Sequence, residues 1–279
     1  MAEITAVAVK ALRDRTGAGM MDCKKALAEA AGDEERAIDL LRQRGAAKAA
    51  KRAGREATEG AVQIATGEGV AGMAEAASET DFVARSDAFV AFTRRVAEAV
   101  MASELASGRV TTGKEFLAGP ESASLRAELE DLRTQVGENV GLSRVVRMAA
   151  DGGSVGSYLH FGNRIGVLLR VEGEGGEEVA RQLAMHVAAA APVAVSPEEI
   201  PEELRERERS VLTEQARGEG KPPQIVEKIV EGRMRKFYEE NALLSQGFVK
   251  DPEKRVADLL AEAGENLRVR GFARFHVGG

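Results

Sequence analysis

Ala61-Val62-Gln63-Ile64-Ala65, then Gly67-Glu68-Gly69, then Val70-Ala71-Gly72-Met73-Ala74 is the stretch that decides how this chain folds. Two short runs of small and β-branched residues flank a glycine-bounded acid, which reads as two strands around a tight turn. The same glycines, Gly67, Gly69 and Gly72, also fit a Gly-x-Gly-x-x-Gly pattern. A dinucleotide site needs a helix to open directly after such glycines. Here the chain continues Met73-Ala74-Glu75-Ala76, and the hairpin is the better reading. After the loop-like Ser78-Glu79 comes Thr80-Asp81-Phe82-Val83-Ala84-Arg85, and then a helical run from Asp87 to Met101 carrying Phe89, Phe92, Val96 and Val100. The unit is strand, turn, strand, helix.

A second unit of the same kind starts near Leu142. Val145-Val146-Arg147-Met148 and Ser154 to His160 read as strands, and Ile165 to Val171 is the clearest strand of the chain. Gly173 to Gly176 is a turn, and Glu177 to Ala190 a helix with Val179, Leu183, Met185 and Val187 apolar. Between the units, a polar helical stretch from Ser122 to Val136 follows the breaker Gly119-Pro120. The pattern predicts an α+β fold with two related antiparallel-sheet and helix subdomains packed together.

Outward from this core, residues 1–55 read as three short helices. Val7, Val9 and Leu12 make a stripe on the first. Met21, Lys24-Lys25, Ala26 and Leu27 lie on the second, and Ile38, Leu40 and Leu41 face inward on the third, from Asp33 to Arg44. Gly17 and Gly19 punctuate the first turn, and Asp33 is placed to cap the third helix. Such a module is similar to ubiquitin-associated domains. Lys48, Lys51, Arg52 and Arg55 then read as a helical linker, with RNA binding as the lesser alternative. Pro192 and Pro197 break the chain before two charged helices, Glu198 to Arg217 and Gln224 to Glu240. Their narrow apolar stripes, Ile200, Leu204 and Val211, then Ile225, Ile229 and Phe237, fit an inserted antiparallel coiled-coil hairpin. A short helix with Val256, Leu259 and Leu260 and a strand from Val269 to Val277 close the chain. The expected division is 1–55, 56–140 and 141–279, with the hairpin at 198–240 inside the last part.

A formal net charge of −6 argues against a general nucleic-acid binder, which would carry a basic stripe. The single Cys23 rules out an intramolecular disulfide framework, and it reads as a small buried residue rather than a reactive thiol. No apolar run approaches a membrane span, and Met1-Ala2-Glu3-Ile4 does not open a signal peptide, so a cytoplasmic protein is expected. His160, His186 and His276 lie far apart with no metal-ligand spacing, and there is no P-loop. Neither an enzyme nor a bound cofactor is expected. Asp81 has two open readings, as a first-turn or capping acid and as a contact residue. A lone Phe82 would ordinarily be core, although its place at a helix start lets it project.

Two segments carry a family resemblance: Thr16-Gly17-Ala18-Gly19-Met20-Met21-Asp22-Cys23-Lys24-Lys25-Ala26-Leu27 and Thr80 to Arg85. With Glu231 to Phe237, Phe248 to Pro252 and Phe272 to Gly278, the chain resembles the elongation factor Ts family, nucleotide-exchange factors for the GTPase elongation factor Tu. The resemblance implies that Phe82 is an exposed wedge entering the partner's nucleotide domain beside its Mg²⁺. It implies that Asp81 accompanies the wedge and that Thr80 and Val83 shape the turn. It also implies that Leu12, Arg13, Gly19, Met20, Met21 and Lys24 touch the same GTPase domain. The Gly156 to His160 segment resembles one that approaches another domain of the partner, which makes His160 a contact candidate; His186 is expected to pack within its helix. The partner is expected in its GDP-bound and nucleotide-free states, with no membrane and no direct nucleic acid, and self-association is left open. Three departures stand out. Ala76 and Ala77 replace a branched aliphatic and an Asn that would brace the wedge loop, Gly247 replaces a Pro, and no further helix follows the last strand. The competing reading is a ubiquitin-associated-like adaptor or RNA-binding accessory protein without exchange activity.

Overall fold

The computed structural model describes residues 4–52, 54–220 and 222–279, with backbone alone for 46–52. Three helices open the chain: α1 Ala6–Thr16, α2 Met20–Glu29 and α3 Glu34–Arg52. Thr5 caps α1, accepting from the Ala8 N–H, and Asp33 caps α3, accepting from the Arg36 N–H at 3.0 Å. Val9, Leu12, Cys23, Ala26, Leu27, Ala37 and Leu41 form a small core of their own, with Ile38 and Leu40 at its margin. Val7, read as part of that stripe, is exposed. At about 100° per residue it lies on the far side of the helix from Val9. The side chains of Lys48, Lys51 and Arg52 lie outside the described residues, as do Met1 to Glu3 and Lys221.

The hairpin forms as its sequence predicts. β1 Glu59–Gly67 and β2 Val70–Ser78 pair antiparallel in unbroken register, from Glu59 opposite Ser78 to Gly67 opposite Val70. Gly69 takes φ 65° in the turn, which favours glycine. A one-turn helix α4 Asp81–Ala84 and the long α5 Asp87–Ala102 follow. Then come β3 Val110–Thr112 and α6 Gly113–Ala118, which no sequence signal had marked, a 3₁₀ turn at Pro120–Ser122, and α7 Ala123–Val136. β4 Gly141–Ala149 was expected to open the second unit. It pairs instead with β2, giving a first sheet of order β1-β2-β4-β3. The true repeat is β5 Gly153–Leu159, β6 Ile165–Glu172 and α8 Glu177–Ala190, with the last strand β9 Arg268–His276 completing a second sheet of order β5-β6-β9.

These sheets stack face to face. Val62, Met73, Val146 and Met148 of the first meet Leu168, Ala273 and Phe275 of the second in one apolar cluster. The outer face of the first sheet is covered by α5, α6 and α7 through Phe89, Phe92, Val96, Phe116 and Leu129. The outer face of the second is covered by α8 and by α11 Val256–Ala263 through Val179, Leu183, Val256 and Leu260. The strands covered on both faces, β1, β2 and β6, read as nearly continuous buried runs, whereas β5 and β9 at the edges of the second sheet alternate. The helices lie directly on two glycines. A Cβ at Gly72 would stand 2.3 Å from the Ala97 carbonyl oxygen, and one at Gly156 2.1 Å from that of Ala180.

The charged helices α9 Glu202–Gly218 and α10 Pro223–Asn241 form the expected antiparallel pair. Their seam matches the one the sequence suggested in part: Ile229 and Phe237 pack against it and Leu204 against its base, while Val211 and Ile225 do not. Leu212 and Ala216 pack against Val226, Val230 and Met234, while Val211 and Ile225 are 44 % and 43 % exposed. Both helices carry adjacent apolar residues, and only the crossing of the pair decides which row faces in. Ile200 lies below the seam, buried with Ala194 and Ala242 at the base. There the Val193 N–H donates to the Asn241 carbonyl and the Leu243 N–H to that of Ala194. The short pair β7 Gly247–Phe248 and β8 Asp251–Arg255 follows the hairpin, with Gly247 opposite Arg255.

Candidate functional site

Thr80 begins α4 as its N-cap, accepting from the Val83 N–H. In a single turn each residue swings by about 100°. Ala84 is buried and Val83 packs on the core of the first sheet. Phe82 is therefore turned outward and is 85 % exposed. Asp81 sits in the first turn, where the helix dipole favours an acid, and pairs with Arg85 at 3.2 Å. Asp81 is thus a first-turn acid, the cap itself being Thr80, and its carboxylate stays partly accessible.

The turn is anchored from behind. The Glu138 carboxylate accepts from the Thr80 N–H at 3.1 Å and from the Thr80 hydroxyl at 2.7 Å. The buried Ser78 hydroxyl donates to the Thr80 carbonyl at 3.0 Å. Glu79 accepts from the Asn139 N–H at 2.6 Å and pairs with Arg55 at 3.3 Å, while the Asn139 side-chain amide donates to the Arg55 carbonyl at 2.8 Å. Bracing thus comes from the turn after α7 and from the chain entering β1. Ala76, which stands for the branched aliphatic, is fully buried in the first-sheet core, and Ala77, which stands for the Asn, is half-buried beside the braced turn.

In the N-terminal module, Gly19 caps α2, and Met20 and Met21 in its first turn are 48 % and 61 % exposed. Arg13 and Lys24 are exposed as well. Leu12 is different. It is fully buried among Val9, Cys23 and Leu27, so it can shape this surface but cannot form it. Cys23 is buried too, its thiol facing the Ala18 carbonyl at 3.6 Å. Gly17, Ala18 and Gly19 face Thr134 and Gln135 of α7 and Gly137 just past its end across a crevice. Residues 134–139 consequently touch both the module and the Thr80 turn, and they bring the two motif segments to one side of the body.

His160 is exposed at the end of β5, its Nδ1 at 3.1 Å from the Tyr158 hydroxyl. Its neighbour Phe161 is 98 % exposed. This turn is bound to the edge of the first sheet, where the Val62 N–H donates to the Asn163 carbonyl at 2.7 Å and Arg164 pairs with Glu59. Since Glu59 stands opposite Ser78, the turn lies toward the Thr80 end of the sheet. His186 is elsewhere and fully buried. Its Nδ1 accepts from the Val249 N–H at 3.1 Å, which leaves Nε2–H to donate to the Gln246 side-chain oxygen at 2.9 Å. It does not pack only within its own helix. It joins α8 to the segment beneath the hairpin, and burial pushes its pKa down, opposed by the Gln246 hydrogen bond.

Sequence reading missed Glu138, Asn139 and Phe161. A signal existed for two of them. Glu138 follows the helix-ending Gly137, where the dipole disfavours an acid, so it needs another task. Phe161 heads the turn Phe161-Gly162-Asn163, which offers no core to enter. Among the described residues no group of three His, Cys, Asp or Glu could hold a metal ion, and no helix is long and apolar enough to cross a membrane.

A family model described as Elongation factor TS matches residues 79–279. A relative named Elongation factor Ts from Rhizobium johnstonii is 45 % identical, covering 100 % of this chain and 94 % of its own. One from Rhodospirillum rubrum is 47 % identical with the same coverage. Another, from Thioalkalivibrio sulfidiphilus, is 47 % identical over 99 % of this chain and 92 % of its own.

Proposed function

The chain belongs to the elongation factor Ts family, and from that we propose that it is a guanine nucleotide exchange factor for elongation factor Tu, releasing GDP by displacing the partner's Mg²⁺. The observation that carries this reading is Phe82, 85 % exposed on a one-turn helix anchored from behind. An apolar side chain held in water this way has a large gain to make from burial, roughly 1.5–3 kcal/mol, the size of an interface hot spot.

Mg²⁺ requires nearly octahedral geometry and keeps nucleotide phosphates tied to their protein. A wedge that shifts the segment supporting the ion spoils that geometry. The factor then binds the nucleotide-free partner more tightly than the GDP-bound one, and by reciprocity the nucleotide weakens the factor equally. No covalent bond changes, so no acid, base or nucleophile is required and the protein is not an enzyme. Arg13, Gly19, Met20, Met21 and Lys24 form the second contact on the GTPase domain, and His160 with Phe161 a third on another domain. The three-part division belongs to the same reading, with the last boundary moved beyond β4 because that strand pairs in the first sheet.

Release of a fluorescent GDP analogue from elongation factor Tu, followed by stopped flow at fixed Mg²⁺, tests the proposal. Acceleration that excess Mg²⁺ suppresses is the expected result. An active partner whose release rate does not change would overturn it.

A further inference from the structure

We propose that Glu138 is a positioning residue for exchange, its carboxylate holding the Thr80 turn so that Phe82 is presented in the pose that engages the partner; this rests on the wedge reading above. The geometry is unusually complete for a surface turn. One carboxylate accepts from both the main-chain N–H and the hydroxyl of Thr80, at 3.1 and 2.7 Å. That hydroxyl in turn accepts from the Val83 N–H and so closes α4. The hydroxyl has a single proton, which it donates in the hydrogen bond to Glu138, so its lone pairs are left for the Val83 N–H. The carboxylate therefore sets both the position and the polarity of the cap.

A helix of four residues has no cooperative stability of its own. Its first turn must be held by something outside it. At Thr80, Ser78 fixes the carbonyl, and Glu138 fixes the N–H and the hydroxyl. Glu138 is itself fixed. It stands between Gly137, which ends α7 at φ 74°, and Asn139, whose N–H and side-chain amide are held by Glu79 and the Arg55 carbonyl. On the other side of this turn the Arg133 guanidinium donates to the Val140 carbonyl at 2.6 Å. The support thus belongs to α7, a rigid element that also faces the N-terminal module.

Without Glu138 the turn must be ordered during docking, and that cost falls on the wedge-engaged state rather than on first encounter. Stopped-flow release of the GDP analogue over a range of factor concentrations separates the two. For Glu138→Ala the saturating rate is expected to fall about tenfold, the equivalent of losing one or two net hydrogen bonds, while the half-saturating concentration stays within about twofold. Glu138→Asp, whose shorter arm cannot reach both Thr80 groups, should show the same split. Glu138→Gln, which can still accept from the N–H but would donate to the hydroxyl and so reverse its polarity, should restore only part of the rate. In a Phe82→Ala background, Glu138→Ala should have little further effect, because positioning acts only through the wedge. Thermal unfolding of each variant checks the fold, and the Asp variant serves if the Ala variant unfolds. Wild-type rates for both Ala and Asp variants, with Phe82→Ala defective, would overturn the positioning role and leave the wedge intact. Additive losses in the double variant would overturn it too. Wild-type rates for Phe82→Ala would instead overturn the wedge, and the positioning role with it.

Discussion

At the scale of the residue, Phe82 and His186 are opposite cases. Phe82 makes few contacts within its own chain, so Phe82→Ala should leave stability within about 0.5 kcal/mol of wild type while slowing partner-dependent GDP release at least about tenfold. Thermal unfolding and stopped flow on one preparation measure both, and a parallel fall in stability would mean Phe82 has a structural task. His186 is held neutral, its Nδ1 accepting and its Nε2–H donating. Its folded pKa lies below the ordinary 6.5 because burial disfavours the charged ring. The unfolded chain therefore takes up a proton first as pH falls. This contribution to stability is fully present above about pH 6.5 and is lost as pH drops toward the folded value. Urea unfolding at pH 7.5 and 5.5 should show a larger loss for wild type than for His186→Gln. Equal losses would show that the ring is not held neutral.

Elements were legible wherever one strong signal acted alone. The β1–β2 hairpin, α5, β6 and α8 follow from glycine-bounded strand runs and a clear helical period, and α8 has the bounds expected of it. β3 and α6 were not legible, because three- and six-residue pieces carry too little periodicity. The hairpin seam was legible only in part, for a different reason. Val211 and Leu212, like Ile225 and Val226, are adjacent and equally apolar, so the pattern alone permits two faces. The structure selects one, and Val230→Ala is expected to cost roughly 1–3 kcal/mol while Ile225→Ala costs below about 0.5. Denaturant unfolding compares the two, and equal costs would contradict this seam. The glycines beneath the helices make a related point. Gly156→Ala places a methyl against the Ala180 backbone and should destabilise by about 1–3 kcal/mol, an effect visible in the same assay.

At the scale of the whole molecule, the two sheets share one buried cluster, and Leu168 sits fully buried within it. Leu168→Ala should cost about 2–5 kcal/mol and lower hydrogen-exchange protection in both sheets together. Loss confined to β5, β6 and β9 would show that the sheets unfold separately. The hairpin stands outside this arrangement, since its seam is made by its own residues and only its base joins the body.

The sequence by itself determined the longer elements, the α+β class, the three-helix opening and the segment that carries Phe82. It could do so because helical period, strand runs, capping residues and turn glycines are local properties. Only the tertiary structure decided which sheet β4 enters, which row of the hairpin faces in, and that Leu12 supports its surface from below while Met20 and Met21 form it. It also decided what anchors the wedge. Glu138 lies 58 residues from Thr80 along the chain, and a hydrogen bond between such distant groups leaves no periodic trace in either segment. Its partner is set by how α7 packs, and packing belongs to the whole chain.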